Sequence, residues 1–89
     1  MKNFETLERI TKGFASKRRV AMLTLLEKQH NLDTEVIAER VDLGYKTTAE
    51  HLRKMHLAGL ITKKEDGYFV LHKLTPRGRQ VLSFLRRLR

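Results

Sequence analysis

The apolar positions of the chain recur with a helical period over its first two thirds, switch to a strand period, and return to a helical one. Phe4, Leu7 and Ile10 stand every three residues, which predicts a helix from about Asn3 to Lys12, with Asn3 as its N-cap and Gly13 ending it. Ser16 is placed to cap a second helix that carries Val20, Met22, Leu23, Leu25 and Leu26 and ends near Lys28. This is the densest apolar segment and the expected central core helix. A polar break, Gln29-His30-Asn31, follows. Asp33 is then placed to cap a third, short helix with Val36, Ile37 and Val41 on one face, small Ala38 beside them, and Leu32 stapled against Ile37. Asp42-Leu43-Gly44 makes a tight connection. A fourth helix is expected from about Tyr45 to Ala58. At 100° per residue it groups Thr48, Leu52 and Met55, with His51 alongside, and turns Lys46, Ala49, Glu50 and Arg53 the other way. Gly59 suits the left-handed residue that closes such a helix.

The period then changes. Leu60 to Lys64 and Tyr68 to Leu74 are β-branched and aromatic runs around Asp66-Gly67, which reads as a hairpin turn. Thr75-Pro76 opens the last helix as N-cap and first residue. Val81, Leu82, Leu85 and Leu88 follow at helical spacing, with Phe84 beside them and Arg86, Arg87 and Arg89 at the end that favours cations. The fold class expected is mainly α with a small β-hairpin: four helices, a two-stranded hairpin and a helix.

Eighty-nine residues give room for one domain, taken as residues 1–89. Lys and Arg number 19 against 10 Asp and Glu, a net charge of +9. So large a charge on so short a chain points to a polyanion, since each cation set beside a phosphate releases a condensed counterion. The absence of cysteine excludes disulfides and thiolate metal sites. No apolar run approaches the length of a membrane span, and the first residues lack the apolar stretch of a secretory leader. A cytoplasmic protein with no membrane partner is expected. No Gly-rich phosphate loop, cysteine nucleophile or acid–base pair suggests catalysis, so no catalytic residue and no cofactor is assigned.

Two short helices joined by a three-residue turn and followed by a hairpin make a helix-turn-helix with a wing. A helix enters the major groove only if an apolar inner face packs on a support while its outer face carries groups for phosphates and base edges. The fourth helix meets both conditions. The stretch from Ser16 to Leu74 resembles the winged helix of ArsR/MarR-type transcription regulators. The matching residues are Arg18-Arg19, Leu25-Leu26, Leu32, Ala38-Glu39, Leu43, His51-Leu52, Met55 and Ala58-Gly59-Leu60. The segment Leu74-Thr75-Pro76 with Gly78 resembles the opening of the last helix in MarR-like proteins. The resemblance implies a winged helix-turn-helix and a DNA-binding role. Two residues depart from the pattern: Asp42 stands where a glycine is usual, and Gly44 where a Ser or Thr cap is usual. The weaker cap leads us to expect that the first turn of the fourth helix orders on DNA.

The expected DNA contacts are Tyr45, Lys46, Thr47, Glu50, Arg53 and Lys54 on the fourth helix and Lys63 and Lys64 on the wing. Lys46 and Arg53 reach phosphates or guanine. Glu50 accepts from a cytosine amino group or pairs with Arg53 or Lys54. His72 and Lys73 are read as flanking the wing with the two lysines, and Tyr68 as packing on the strand. The expected dimer surface is Phe4, Leu7 and Ile10 on the first helix and Val81, Phe84, Leu85 and Leu88 on the last, within the terminal segments 1–14 and 75–89. The other arrangement has these two helices packed on each other within one subunit. His51 and His56 stand five apart and face differently, so no metal site is expected. The expected partners are double-stranded DNA and a second copy of the chain, with no small-molecule ligand and no sensory domain. The function expected is a sequence-specific regulator acting as a homodimer. The alternatives are an architectural DNA binder of low specificity and a winged-helix protein-interaction module of a replication or transcription complex.

Overall fold

A computed structural model describes residues 3–88. Met1, Lys2 and Arg89, at the outer ends of the expected terminal helices, lie outside the described residues. In chain order the elements are α1 (Phe4–Phe14), α2 (Lys17–Lys28), β1 (Leu32–Asp33), α3 (Thr34–Val41), α4 (Tyr45–Leu57), β2 (Ile61–Asp66), β3 (Phe69–Leu74) and α5 (Pro76–Arg87).

Side chains start three of the helices as the sequence leads one to expect. Ser16 Oγ accepts from the Arg18 and Arg19 amides at the head of α2. Asp33 accepts from Glu35 N at 2.8 Å to open α3, and Thr75 from Gly78 N at 3.0 Å to open α5 behind Pro76. Asn3 does not follow suit. It is helical in φ and ψ and its side chain makes no capping bond. Gly13 does not end α1 either. The helix runs on to Phe14, and Gly13 is buried where α1 crosses α4. A methyl group there would come within 2.5 Å of Ala58 Cβ. Glycine is needed at that position for close approach, not for termination.

The end of α4 is a Schellman closure. Gly59, at φ +77, donates to His56 O at 2.9 Å, and Leu60 donates to Met55 O at 3.0 Å. Asp42 takes the left-handed conformation at the end of α3, with φ 58, as the departure from glycine required. Arginines complete two of these ends. Arg18 Nη1 donates to Val41 O at 2.8 Å, and Arg77 Nη1 to Ala58 O at 3.1 Å. Both place a cation at the negative end of a helix.

The sheet has three strands where the sequence suggested two. Its order is β1-β3-β2, all antiparallel. The extra strand is the residue pair ahead of α3: Leu32 pairs with His72 and Asp33 with Leu71. This ties the supporting helix of the helix-turn-helix to the wing. The hairpin also turns one residue later than expected. Asp66 pairs with Phe69, so Gly67 and Tyr68 form the two-residue loop, and glycine at its first position, φ +65, suits a type II′ turn.

The core lies between α2 and the other elements. Met22, Leu23 and Leu26 of α2 are fully buried with Ile37, Leu52, Met55, Leu60, Ile61, Leu74 and Leu82. Each contributes roughly 1.5–3 kcal/mol of transfer free energy. α1 packs on α4 and α2, whereas α5 packs on α2 and β3.

Candidate nucleic-acid interface

The inner face of α4 is Thr48, Leu52 and Met55, all buried, which matches the face predicted from spacing. Burial of these three holds the helix on α3 and the core. Tyr45, Lys46, Thr47, Glu50, Arg53 and Lys54 are exposed, as are His56 and Leu57 in its last turn. The first six and their neighbours lie along the helix and divide into two flanks. On the wing side, Tyr45, Ala49 and Arg53 face Lys63, Val70 and His72 across a cleft of about 100 Å³. On the other side, Lys46, Thr47, Glu50, His51 and Lys54 line a cleft of about 360 Å³ with Arg19 of α2. Lys63 and Lys64 stand exposed on β2, the outer strand of the sheet.

Glu50 is taken up within the protein. Arg53 donates to both of its oxygens, Nε at 2.9 Å and Nη2 at 2.7 Å, and Lys54 Nζ lies 3.9 Å away. The Arg53 hydrogen bond is the main cause that lowers the Glu50 pKa and raises that of Arg53. A bidentate fork of this kind fixes the plane of the guanidinium. His51 is half-buried, as read from the sequence, and its Nδ1 accepts from Arg19 Nε at 2.8 Å. Burial first, and then the Arg19 charge, hold His51 below the ordinary histidine pKa. The other hydrogen-bonding arm of Arg19 donates to Lys12 O, so this residue joins the end of α1 to α4. Nothing in the spacing of the sequence marks Arg19 for that place; only the packing of α1 and α2 against α4 brings it there.

Two readings of the wing need correction. His72 does not stand beside the wing lysines at the surface. It is 3% exposed, with Nε2 3.0 Å from Thr34 Oγ1 and Nδ1 without a partner among the described residues. Burial, reinforced by the Lys63 and His56 charges, pushes its pKa down to about 4. The signal was present, because Val70, His72 and Leu74 alternate and share the inner face of β3. Tyr68 does not pack on the strand: it projects fully into solvent from the tip of the loop, beside an exposed Phe69.

The terminal helices also divide. Phe4, Leu7, Phe84 and Leu88 are more than half exposed. Ile10 and Val81 are partly buried against their own core, and Leu85 is half-buried. Among the described residues no group of three or more His, Cys, Asp or Glu side chains is placed to hold a metal ion. No described helix is long and apolar enough to cross a membrane.

Several solved structures share this architecture. The homodimeric winged helix-turn-helix DNA-binding domain Mb0332 from Mycobacterium bovis, described as a possible ArsR-family transcriptional regulator, superposes with a TM-score of 0.83 at 20% identity, over 94% of this chain and 78% of that one. HlyU from Vibrio cholerae gives 0.82 at 23% identity, over 98% and 95%. The fold is a winged helix-turn-helix that resembles those of ArsR/MarR-type regulators. The PcaV transcriptional regulator from Streptomyces coelicolor, solved with its natural ligand, gives 0.71 at 32% identity over 76% of this chain, which spans 50% of PcaV. No protein-family description matches the sequence, and no curated protein does. In winged-helix terms α3 and α4 stand where the two helices of the helix-turn-helix do, and the β2–β3 hairpin where the wing does.

Proposed function

We propose that this winged helix binds double-stranded DNA as a homodimer and acts in the cytoplasm as a sequence-specific transcription regulator, a binding protein and not an enzyme. The observation that carries this reading is the two-faced recognition helix. Thr48, Leu52 and Met55 anchor it, and Tyr45, Lys46, Thr47, Glu50, Arg53 and Lys54 face outward. Lys46 and Lys54 engage phosphates, Arg53 a guanine edge, and Glu50 holds Arg53 in the plane that such a contact needs. Lys63 and Lys64 of the wing engage the flanking backbone. Residues 1–89 act as one DNA-binding unit in which the terminal segments dimerise. Phe4 and Leu7 on α1, with Phe84 and Leu88 on α5, supply the exposed apolar contact. Ile10, Val81 and Leu85 back it from below. The homodimeric Mycobacterium bovis relative supports the two-fold arrangement, which presents paired half-sites about one helical turn apart.

The test is binding to duplex DNA across a salt series. The reading predicts two chains per site and an affinity that falls steeply with salt. No binding near physiological salt contradicts it. A second reading, an architectural binder of low specificity, is favoured by the exposed lysines Lys46, Lys54, Lys63 and Lys64, whose ammonium groups suit phosphates, and phosphate contacts carry no sequence information. Equal affinity for selected and random duplex is its signature.

A further inference from the structure

We propose that the cleft between the start of α2 and the recognition helix seats one phosphodiester of the DNA backbone, with Arg19 as an anion ligand from outside the helix-turn-helix. This rests on the DNA reading above and adds to it a site that the motif does not contain. Positions 46, 47, 50, 51 and 54 make one stripe along α4, and Arg19 faces that stripe from α2. The six side chains bring three cations and one carboxylate together. The carboxylate, Glu50, is held by Arg53 from the opposite flank.

The remaining groups are donors. Arg19 gives its Nε hydrogen to His51 Nδ1 and another arm to Lys12 O, which leaves a guanidinium nitrogen without a partner among the described residues. Because His51 accepts at Nδ1, its Nε2 carries the proton in the neutral ring. Thr47 adds a hydroxyl, and Lys46 and Lys54 add ammonium groups. A concave surface of donors and positive charge selects an anion. The two bonds already made by Arg19 hold it in place before the anion arrives, so little side-chain freedom remains to be lost on binding.

Groove geometry identifies the anion. A helix with its side chains is about 10–12 Å across, and the major groove is about 12 Å wide. A helix lying in the groove therefore has a phosphate backbone along each flank. The wing-side flank of α4 carries Arg53 and Lys63, and the other flank carries Arg19, Lys46 and Lys54. Each flank thus meets one strand. The cleft is an open trough at the surface and its lysines are exposed, which suits a phosphate fixed within a duplex better than a free ion.

The experiment compares wild type with Arg19→Gln and Lys54→Gln. The amide of R19Q can still donate to His51 or Lys12 but carries no charge. On random and selected duplex alike, R19Q is expected to lose about tenfold in affinity for each chain bound, as for a hydrogen bond to a charged group. Its log–log salt slope should be shallower by about 0.9 for each chain bound, so by about 1.8 for a dimer on its site. A scan with single neutral methylphosphonates should find one position in each half-site that weakens wild type but not R19Q, an effect that mere loosening of the fold does not produce. If R19Q fails to fold by circular dichroism, K54Q decides by the same slope and the same scan. Unchanged slopes and an unchanged scan in the folded variants, with wild type still binding duplex, overturn the seat and leave the DNA reading intact. Wild type with no salt-dependent duplex binding overturns both.

Discussion

His72 shows how much one side chain depends on its face. Its ring bonds Thr34 at one nitrogen, the other has no partner among the described residues, and burial disfavours the charged form and brings the pKa down to about 4. An unfolded chain takes up a proton here as pH drops through about 6.5, while the folded ring stays neutral down to about 4. Stability from this residue is therefore complete above the unfolded pKa and is lost as pH falls between the two values. The shift corresponds to about 3 kcal/mol at most. Urea midpoints measured from pH 7 to pH 5 should decline in wild type, and His72→Gln should flatten that decline. An equal decline in both proteins contradicts the assignment. Period-two alternation with Val70 and Leu74 was enough to place His72 inside. Its charged neighbour Lys73 and the lysines across the hairpin suggested a surface role instead. Tyr68 went the other way. A strand residue was expected to pack, but the turn falls on Gly67-Tyr68 and leaves the ring without a neighbouring strand to cover it.

At the scale of elements, the helices were legible because a 100° period repeats many times within each. Thr48, Leu52 and Met55 could be placed on one face before any tertiary contact was known. β1 was not legible. It is two residues long, and its partner strand lies about forty residues further on, so no local period reports it. Glycines inside helices were equally opaque. Gly78, in the first turn of α5, looks like a weak helix former whose replacement by alanine should stabilise by about 1 kcal/mol. Its surroundings say otherwise, since a methyl group there would come within 2.3 Å of Leu60 O and 2.5 Å of Leu74 Cδ1. Gly78→Ala should lower stability by about 1–3 kcal/mol, measured by thermal or urea unfolding, and a rise would show that the α5–β3 contact is looser than described. The start of α4 carries its own expectation. Gly44 offers no side-chain cap, so amides in the first turn lack a capping acceptor. Thr48 N already donates to Gly44 O at 3.0 Å, so it is at Tyr45 to Thr47 that amide exchange should be fast in the free protein and slow on DNA. Slow exchange without DNA refutes ordering on binding.

At the scale of the whole molecule, the net charge of +9 is divided between cations bonded within the protein and cations left exposed. Much of the arginine is engaged internally. Arg18, Arg19 and Arg77 close helix ends through carbonyl oxygens, Arg86 binds Glu27 and Arg53 binds Glu50. Composition alone could not show this, because a guanidinium on a carbonyl keeps its charge and still counts toward the total. On the DNA reading proposed above, the charge left for phosphates is therefore largely lysine, Lys46, Lys54, Lys63 and Lys64, with Arg19 beside them. The exposed apolar residues of α1 and α5 make their own prediction. Phe84→Glu, at a side chain 51% exposed, should leave the fold intact and shift sedimentation from dimer to monomer. A dimer unaffected by the change would move the interface elsewhere.

Whether α4 reads DNA is decided by the affinity of wild type and of the Lys46→Ala/Arg53→Ala variant for a selected duplex and for random duplex at several salt concentrations. We expect wild type to prefer its selected site by 10³-fold or more, on the order seen for specific binders. The variant should lose most of that preference and have a shallower salt slope, while keeping its fold. A variant that binds both duplexes as wild type does would contradict the assignment of α4 as the reading element.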